Sequence, residues 1–145
     1  MITYVFSKET WVQHLASYVR TQVFILEQGI SPQEEFDHYD TPQRYFLLAL
    51  DKGKPVGTIR YEEADATTLK PDRLCVLAPY RKKGIGMALL TQLEEIGKEQ
   101  GYQKSCLSAE VIAIPFYEKL GYHVASSPFK EDGILCVTMI KNLHP

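Results

Sequence analysis

The segment from Arg73 to Gly101, "RLCVLAPYRKKGIGMALLTQLEEIGKEQG", carries the pattern that most limits the fold. An apolar run leads straight into a cationic corner with two glycines, Gly84 and Gly86. Beyond it Ile85, Leu89, Leu93 and Ile96 recur along one side of a helix that ends near Gly101. A helix with one apolar side packs that side on a sheet, so strand, tight corner and helix together demand a mixed architecture.

The rest of the chain supplies the sheet. "ITYVFS" alternates as a first strand. "SKETWVQHLASYVRTQVFILEQ" then reads as a helix with Ser7 as its cap and Trp11, Leu15, Val19 and Val23 on a shared face. "GISPQEEFDHYDTPQ" is an irregular excursion or a short helix. "RYFLLALDKGKPVGTIRYEEA" is a hairpin turned at Asp51-Lys52-Gly53-Lys54. After the central helix come the strand "YQKSCLSA", a helix near "VIAIPFYEKLG" with Pro115 in its first turn or at a kink, the strand "YHVASS" and the strand "ILCVTMI". The expectation is an α+β or mixed α/β fold: six or seven strands, with helices on both faces of the sheet.

At 145 residues and 45% hydrophobic composition, the chain is expected to form one domain, 1–145, with its own core. A formal net charge of -2 gives no overall electrostatic reason to expect a nucleic-acid or membrane-surface partner. The N-terminus lacks a basic segment followed by a long apolar run, and the longest apolar run, "YFLLAL", is too short to span a bilayer; the expectation is a cytoplasmic protein. Cys75, Cys106 and Cys136 stand far apart in strand-like runs, as small buried side chains rather than zinc ligands or a disulfide framework, and no metal is expected.

"RKKGIG" combines cations, glycines that let a backbone come close, and the amides of a helix start, all of which suit a phosphate. The same residues also suit a plain strand-to-helix corner with solvated cations. The corner lacks the Gly-Lys-Ser/Thr ending of a P-loop, and a dinucleotide fingerprint would need glycine or alanine where Leu89 stands.

"LCVLAPYRKKGIGMALL" resembles the acetyl-CoA motif of the GNAT N-acetyltransferase superfamily, through Arg81, Gly84 and Gly86. "AEVIAIPFYEKLGYHV" resembles the downstream helix of that family, with Ala113, Phe116, Tyr117 and Gly121 in order. "VFILEQGISPQEEFD", "PVGTIR" and "FKEDGILCVTM" resemble its small bacterial members, so the likeness spans most of the chain. The resemblance implies a mixed, mostly antiparallel central sheet that splays beside "RLCVLA", making room for a pantetheine arm. It implies acetyl-CoA as cosubstrate and direct transfer to an amine of a small molecule or peptide. The implied cofactor contacts are Leu74, Cys75 and Val76 on the strand, Arg81, Lys82, Lys83, Gly84, Ile85, Gly86 and Met87 on the loop, and Ala113 and Phe116 downstream.

By the same resemblance an N–H near Val76 polarises the thioester, and Tyr117 protonates the departing sulfur; the plainer reading of Tyr117 is an aromatic packed under the cofactor. Glu27, Glu34, Glu35, Asp37 and Glu62 are candidate bases, each otherwise a solvated carboxylate. The acidic run "EEFDHYD" favours a cationic acceptor, and the lone His38 within it reads as an exposed loop histidine rather than a catalytic one.

Three positions depart from the family pattern. Lys82 stands where glycine is common, which is tolerable with ordinary backbone angles. Glu110 stands where relatives have a neutral amide, and could contact the pantetheine arm differently or act as a base. Cys136 stands where the bacterial group has histidine, and a buried strand cysteine is its expected role rather than a thiol nucleophile. These departures motivate a second reading, a CoA-binding regulatory or interaction module with weak or no catalysis. A homodimer is compatible with either reading.

Overall fold

The computed structural model describes residues 1–144. Eight strands form a mixed sheet in the order β1-β2-β3-β4-β5-β8-β6, with β7 on β8. They are β1 (Ile2–Ser7), β2 (Phe46–Asp51), β3 (Lys54–Asp65), β4 (Thr68–Val76), β5 (Lys104–Glu110), β6 (His123–Val124), β7 (Phe129–Glu131) and β8 (Ile134–Asn142). The helices are α1 (Thr10–Arg20), α2 (Pro32–Glu35), α3 (Ile85–Glu99) and α4 (Ile114–Lys119). β4 and β5 are parallel, whereas β1–β2, β2–β3, β5–β8, β6–β8 and β7–β8 are antiparallel. The chain divides into two compact units, Met1–Tyr61 with Arg73–Leu93, and Glu62–Asp72 with the residues from Glu94 onward.

In the first unit, Lys52 and Gly53 both take left-handed angles (φ 50° and 81°), the requirement of the two-residue turn that joins β2 to β3. Alternation then sorts the side chains. Phe46 and Leu48 pack with Val12 and Ala16 of α1, while their neighbour Leu47 pairs with Ile59 on the other face. Gly57 shares that other face, where α3 comes very close: a Cβ at Gly57 would stand 3.1 Å from Leu89 Cδ1, 3.3 Å from the Cys75 carbonyl oxygen and 3.3 Å from Ile85 Cγ2. Only glycine lets the start of α3 settle this near the strand.

In the second unit, β5 pairs with β8 along its full length, from Lys104↔Asn142 to Glu110↔Cys136. The parallel register of β4 with β5 comprises Thr68↔Lys104 and Leu69↔Ser105. α3 closes with Gly101 at φ 97°, the Tyr102 N–H reaching back to the Gly97 carbonyl at 3.0 Å, as a glycine-terminated helix should. A buried polar chain ties the unit together. The Tyr122 hydroxyl donates to Glu94 Oε2 at 2.8 Å and shares a 2.7 Å hydrogen bond with Ser105 Oγ, and Lys141 Nζ donates to Glu94 Oε1 at 2.7 Å.

Several expectations need correction. The sheet has eight strands, not six or seven, because the three-residue β7 forms a hairpin with β8 through Asp132 (φ 51°) and Gly133 (φ 78°). β4 begins at Thr68, well before "RLCVLA", although Pro71 cannot donate to a ladder. The buried stripe of α1 and its continuation is Val12, Ala16, Val19 and Val23, whereas Trp11 is 46% exposed. Steps of four residues drift around a helix turning every 3.6, so a stripe started at Trp11 begins off the core face and reaches it only by Val19 and Val23. Trp11 instead donates from Nε1 to Glu9 Oε2 at 3.0 Å. Ser7 does not cap α1: its Oγ accepts the Glu9 N–H at 2.9 Å, one turn ahead of the helix. Beyond Arg20 the helix widens into π-helical turns over Thr21–Glu27. Among the described residues no helix is long and apolar enough to cross a membrane.

Candidate active site

In the first unit, the loop after β4 turns through Lys82 (φ 64°) and Gly84 (φ 82°) into the fifteen-residue α3. Lys82 therefore does not keep ordinary backbone angles. It occupies a left-handed conformation, which accounts for the preference for glycine there and costs a lysine on the order of 1 kcal/mol. A Cβ at Gly84 would meet nothing within 4 Å, so this backbone lies open. Lys82, Lys83 and Gly84 are exposed, and Ile85, buried as an anchor, starts with Gly86 and Met87 the helix whose first amides lack partners within it. Lys83 Nζ stands 5.4 Å from the Tyr80 ring centroid, over its face.

Arg81 is engaged differently from its lysine neighbours. Its two terminal nitrogens hold Glu27 at 2.6 and 2.7 Å, and its Nε donates to the Val76 carbonyl at 2.9 Å. The guanidinium thus ties the loop to the end of the π-helical segment and to β4, and its hydrogen bond holds the Glu27 carboxyl below its usual range. Leu74 and Val76 are half-buried, while the Cys75 side chain packs with Val19 and Val23, leaving only its backbone to face a ligand. Burial pushes the Cys75 thiol far above its ordinary value.

The acidic segment is neutralised rather than free. Glu35 receives Arg20 at 2.9 Å and Arg73 at 3.1 Å. Asp40 receives Arg20 at 2.7 Å and Arg60 at 2.9 Å, and Asp37 receives Arg60 at 2.8 Å. Burial alone would raise Asp37, but the hydrogen bonds and charge of Arg60, with the Tyr39 N–H and Arg73, outweigh it and hold the carboxyl at about 2. Three carboxylates therefore meet three arginines, two of them fully buried, so this cluster supplies no net negative field for a cationic acceptor. The arginines come from α1, β3 and β4, and no local pattern in "EEFDHYD" announces them. Glu34 is exposed, with its N–H on Ser31 Oγ at 3.2 Å, and His38 is exposed beside Tyr39.

In the second unit, Tyr117 on α4 stands between Phe116 and Tyr122, with ring centroids 5.0 and 6.0 Å away, both edge-to-face. Ala113 and Phe116 are half-buried at the start of the same helix. Among the described residues the Tyr117 hydroxyl has no hydrogen-bond partner, so its proton is available to a ligand. Burial, with the nearby Glu110 charge, raises it to about 12. Glu110 is exposed at the end of β5 and makes no ion pair among the described residues. It lies directly opposite Cys136. The Cys136 thiol is buried and pushed up by burial and by Glu131, Glu110 and Asp132, the reverse of an activated nucleophile. Glu62 is buried beside Lys70. Among the described residues no group of three or more His, Cys, Asp or Glu side chains could hold a metal ion.

The chain is similar to known proteins along most of its length. The acetyltransferase (GNAT) domain profile matches residues 13–143. The uncharacterised Bacillus subtilis protein YyaT is 42% identical over 132 residues, covering 90% of this chain and 88% of YyaT. The uncharacterised N-acetyltransferase YjcF of the same organism is 35% identical over 128 residues, covering 88% and 90%. A crystal structure from Lactobacillus plantarum, ascribed to an N-acetyltransferase, superposes with a TM-score of 0.94 at 34% identity, covering 98% of each chain.

Proposed function

The chain belongs to the GNAT acetyltransferases, and on that premise we propose that residues 1–145 act as one domain that moves an acetyl group from acetyl-CoA directly to a primary amine of a small or medium acceptor. The observation that carries the reading is the loop Arg81–Met87. It has an open left-handed backbone at Gly84, two exposed lysines and the unpaired amides that start α3. These residues fit a pyrophosphate. Lys82 to Met87 hold it through backbone amides, Lys82 and Lys83 add charge, and Arg81 keeps the loop in place through Glu27 and Val76. Leu74, Cys75 and Val76 offer backbone groups to the pantetheine arm, with Ala113 and Phe116 as apolar contacts.

Acetyl-CoA supplies an activated thioester and a thiol leaving group. Transfer forms a carbon–nitrogen bond and breaks a carbon–sulfur bond, so one proton must leave the amine and one must reach the sulfur. Tyr117 donates the second. Held at about 12, it remains protonated throughout the ordinary pH range, and among the described residues its hydroxyl has no acceptor to give up. Glu110 takes the first, directly or through water, as the exposed carboxylate beside Tyr117. The N–H of Val76 polarises the acetyl carbonyl. The chemistry requires neither a metal nor a covalent enzyme intermediate.

The second reading, a CoA-binding module without turnover, is favoured by the raised thiol of Cys136 and the carboxylate of Glu110, where relatives carry a histidine and an amide. Two assays separate the readings. Calorimetric titration with CoA should give binding under both. Thiol release from acetyl-CoA over a panel of amines should occur only under the first, and silence with every amine despite tight CoA binding would leave the module.

A further inference from the structure

Buried carboxylates in this chain are well paired, with one departure among the described residues. Glu35 is held by Arg20 at 2.9 Å, and Glu94 by Tyr122 at 2.8 Å and Lys141 at 2.7 Å. Glu62 is buried as well, yet its Oε2 is hidden from water and has no hydrogen-bond partner. Its Oε1 has only Lys70 Nζ at 3.3 Å, longer than the roughly 2.7–2.9 Å of a charge-assisted bond. Burying an oxygen without a donor is unfavourable, and folding alone offers no reason to keep one. The Lys70 side chain is 43% exposed, so it can swing into water and uncover the carboxylate.

The second unit shows what lies beside this pair. β5 alternates between buried Ser105, Leu107 and Ala109 on one face and Cys106, Ser108 and Glu110 on the other. Lys70 follows Leu69, the partner of Ser105, and its charge reaches the Cys106 thiol. The opposite neighbours of Ser108 and Glu110 on β8 are Thr138 and Cys136. One sheet face therefore carries a polar strip. It runs from Glu62 and Lys70, past Cys106 with Ile140 opposite it and the Ser108 and Thr138 hydroxyls, to Glu110. Lys104, at the Glu62 end, is balanced by the nearby Asp65. Four residue steps of extended strand take Cys106 to Glu110, about 13 Å along β5, and Glu62 on β3 lies two strand spacings, about 10 Å, to the side, so the two anchoring positions are on the order of 16 Å apart.

We propose that this strip binds an extended aliphatic diamine or polyamine, with one ammonium on Glu62 in place of Lys70 and the other nitrogen at Glu110. The proposal rests on the acetyl-transfer reading for which nitrogen reacts, namely the one at Glu110 beside Tyr117. It deepens that reading by assigning the far end of the acceptor a second positive charge. Lys70, itself a primary ammonium on an alkyl stem, is the resident stand-in for that group.

Octanediamine, octylamine and ethylenediamine distinguish the length and the second charge. Binding to the cofactor-free protein is followed by NMR titration, and kcat/KM by thiol release, for the wild type, Glu62→Gln and Lys70→Met. Octanediamine should bind at least tenfold more tightly than either of the other amines. Glu62→Gln should erase that advantage, and Lys70→Met should increase it severalfold by removing the internal competitor. Lys98→Met, which removes a half-buried lysine paired with Glu95 on α3, should change nothing. Equal affinity of wild type and Glu62→Gln for octanediamine, or weaker binding in Lys70→Met, would overturn the proposal. Diamine binding that follows the predicted order without any thiol release would sink acetyl transfer and leave the binding site standing.

Discussion

Replacing Asp37 with asparagine tests the neutralised arginine cluster quantitatively. The native carboxyl sits at about 2 against an ordinary 3.8. A carboxyl depressed on folding stabilises the fold above its unfolded value, and loses that contribution as pH falls through its folded value. The shift corresponds to about 2.5 kcal/mol at pH 7, about 1.3 kcal/mol at pH 3 and under about 0.5 kcal/mol at pH 2. Asp37 is only about a quarter exposed (25%), so solvent screening trims these figures without removing them. Asp40 shares Arg60 and Glu35 shares Arg73 with Asp37, so the difference between wild type and Asp37→Asn reports Asp37 together with its coupling to these neighbours. Urea unfolding at the three pH values reads it directly. A deficit of 2–3 kcal/mol at neutral pH that shrinks with acid is expected. A deficit that stays constant from pH 7 to pH 2, or is under about 0.5 kcal/mol at pH 7, would refute the assignment of Asp37 to a tight, partly buried pair with Arg60.

Three further substitutions probe the site. Tyr117→Phe should lower kcat by about a hundredfold. It should change CoA affinity little and stability hardly at all, because the lost hydroxyl has no protein partner; unchanged turnover would remove the acid role. Gly57→Ala should cost about 1–3 kcal/mol of stability, since its Cβ at 3.1 Å from Leu89 and 3.3 Å from the Cys75 carbonyl forces α3 outward. The same shift should weaken CoA binding by calorimetry, and full stability in the variant would show that the start of α3 is not wedged against β3. Lys82→Gly should leave Tm within a few degrees, because relief of the left-handed backbone offsets the greater freedom of unfolded glycine. Its CoA affinity should fall severalfold with the lost cation, and unchanged affinity would remove Lys82 from the phosphate site.

What could be read from the sequence follows from the range of the forces involved. The corner at Arg81–Gly86, the helix ending at Gly101 and the turn at Lys52-Gly53 depend on neighbouring residues, and each stands where the residue pattern puts it. β7 is shorter than a periodicity can reveal, although "DG" between it and β8 was a usable turn signal. The exposure of Trp11 turns on about 40° of drift per four-residue step, which a helical wheel resolves poorly. Long-range pairing was invisible. "EEFDHYD" is acidic as a string, yet Glu35, Asp37 and Asp40 are neutralised in space, because Arg20, Arg60 and Arg73 converge on them from distant segments. Likewise Glu62 looked like one of five equivalent carboxylates, and only its missing partner sets it apart. The left-handed Lys82 was foreshadowed by the preference of relatives for glycine, a backbone requirement that lysine meets at some cost.

Mass analysis of the reaction with isotopically labelled acetyl-CoA and an amine most directly tests direct transfer. The label should appear in an N-acetylated amine, with the protein at its unmodified mass throughout turnover. Label held on the protein during turnover, on Cys136 above all, or hydrolysis of acetyl-CoA without any amide product, would contradict it.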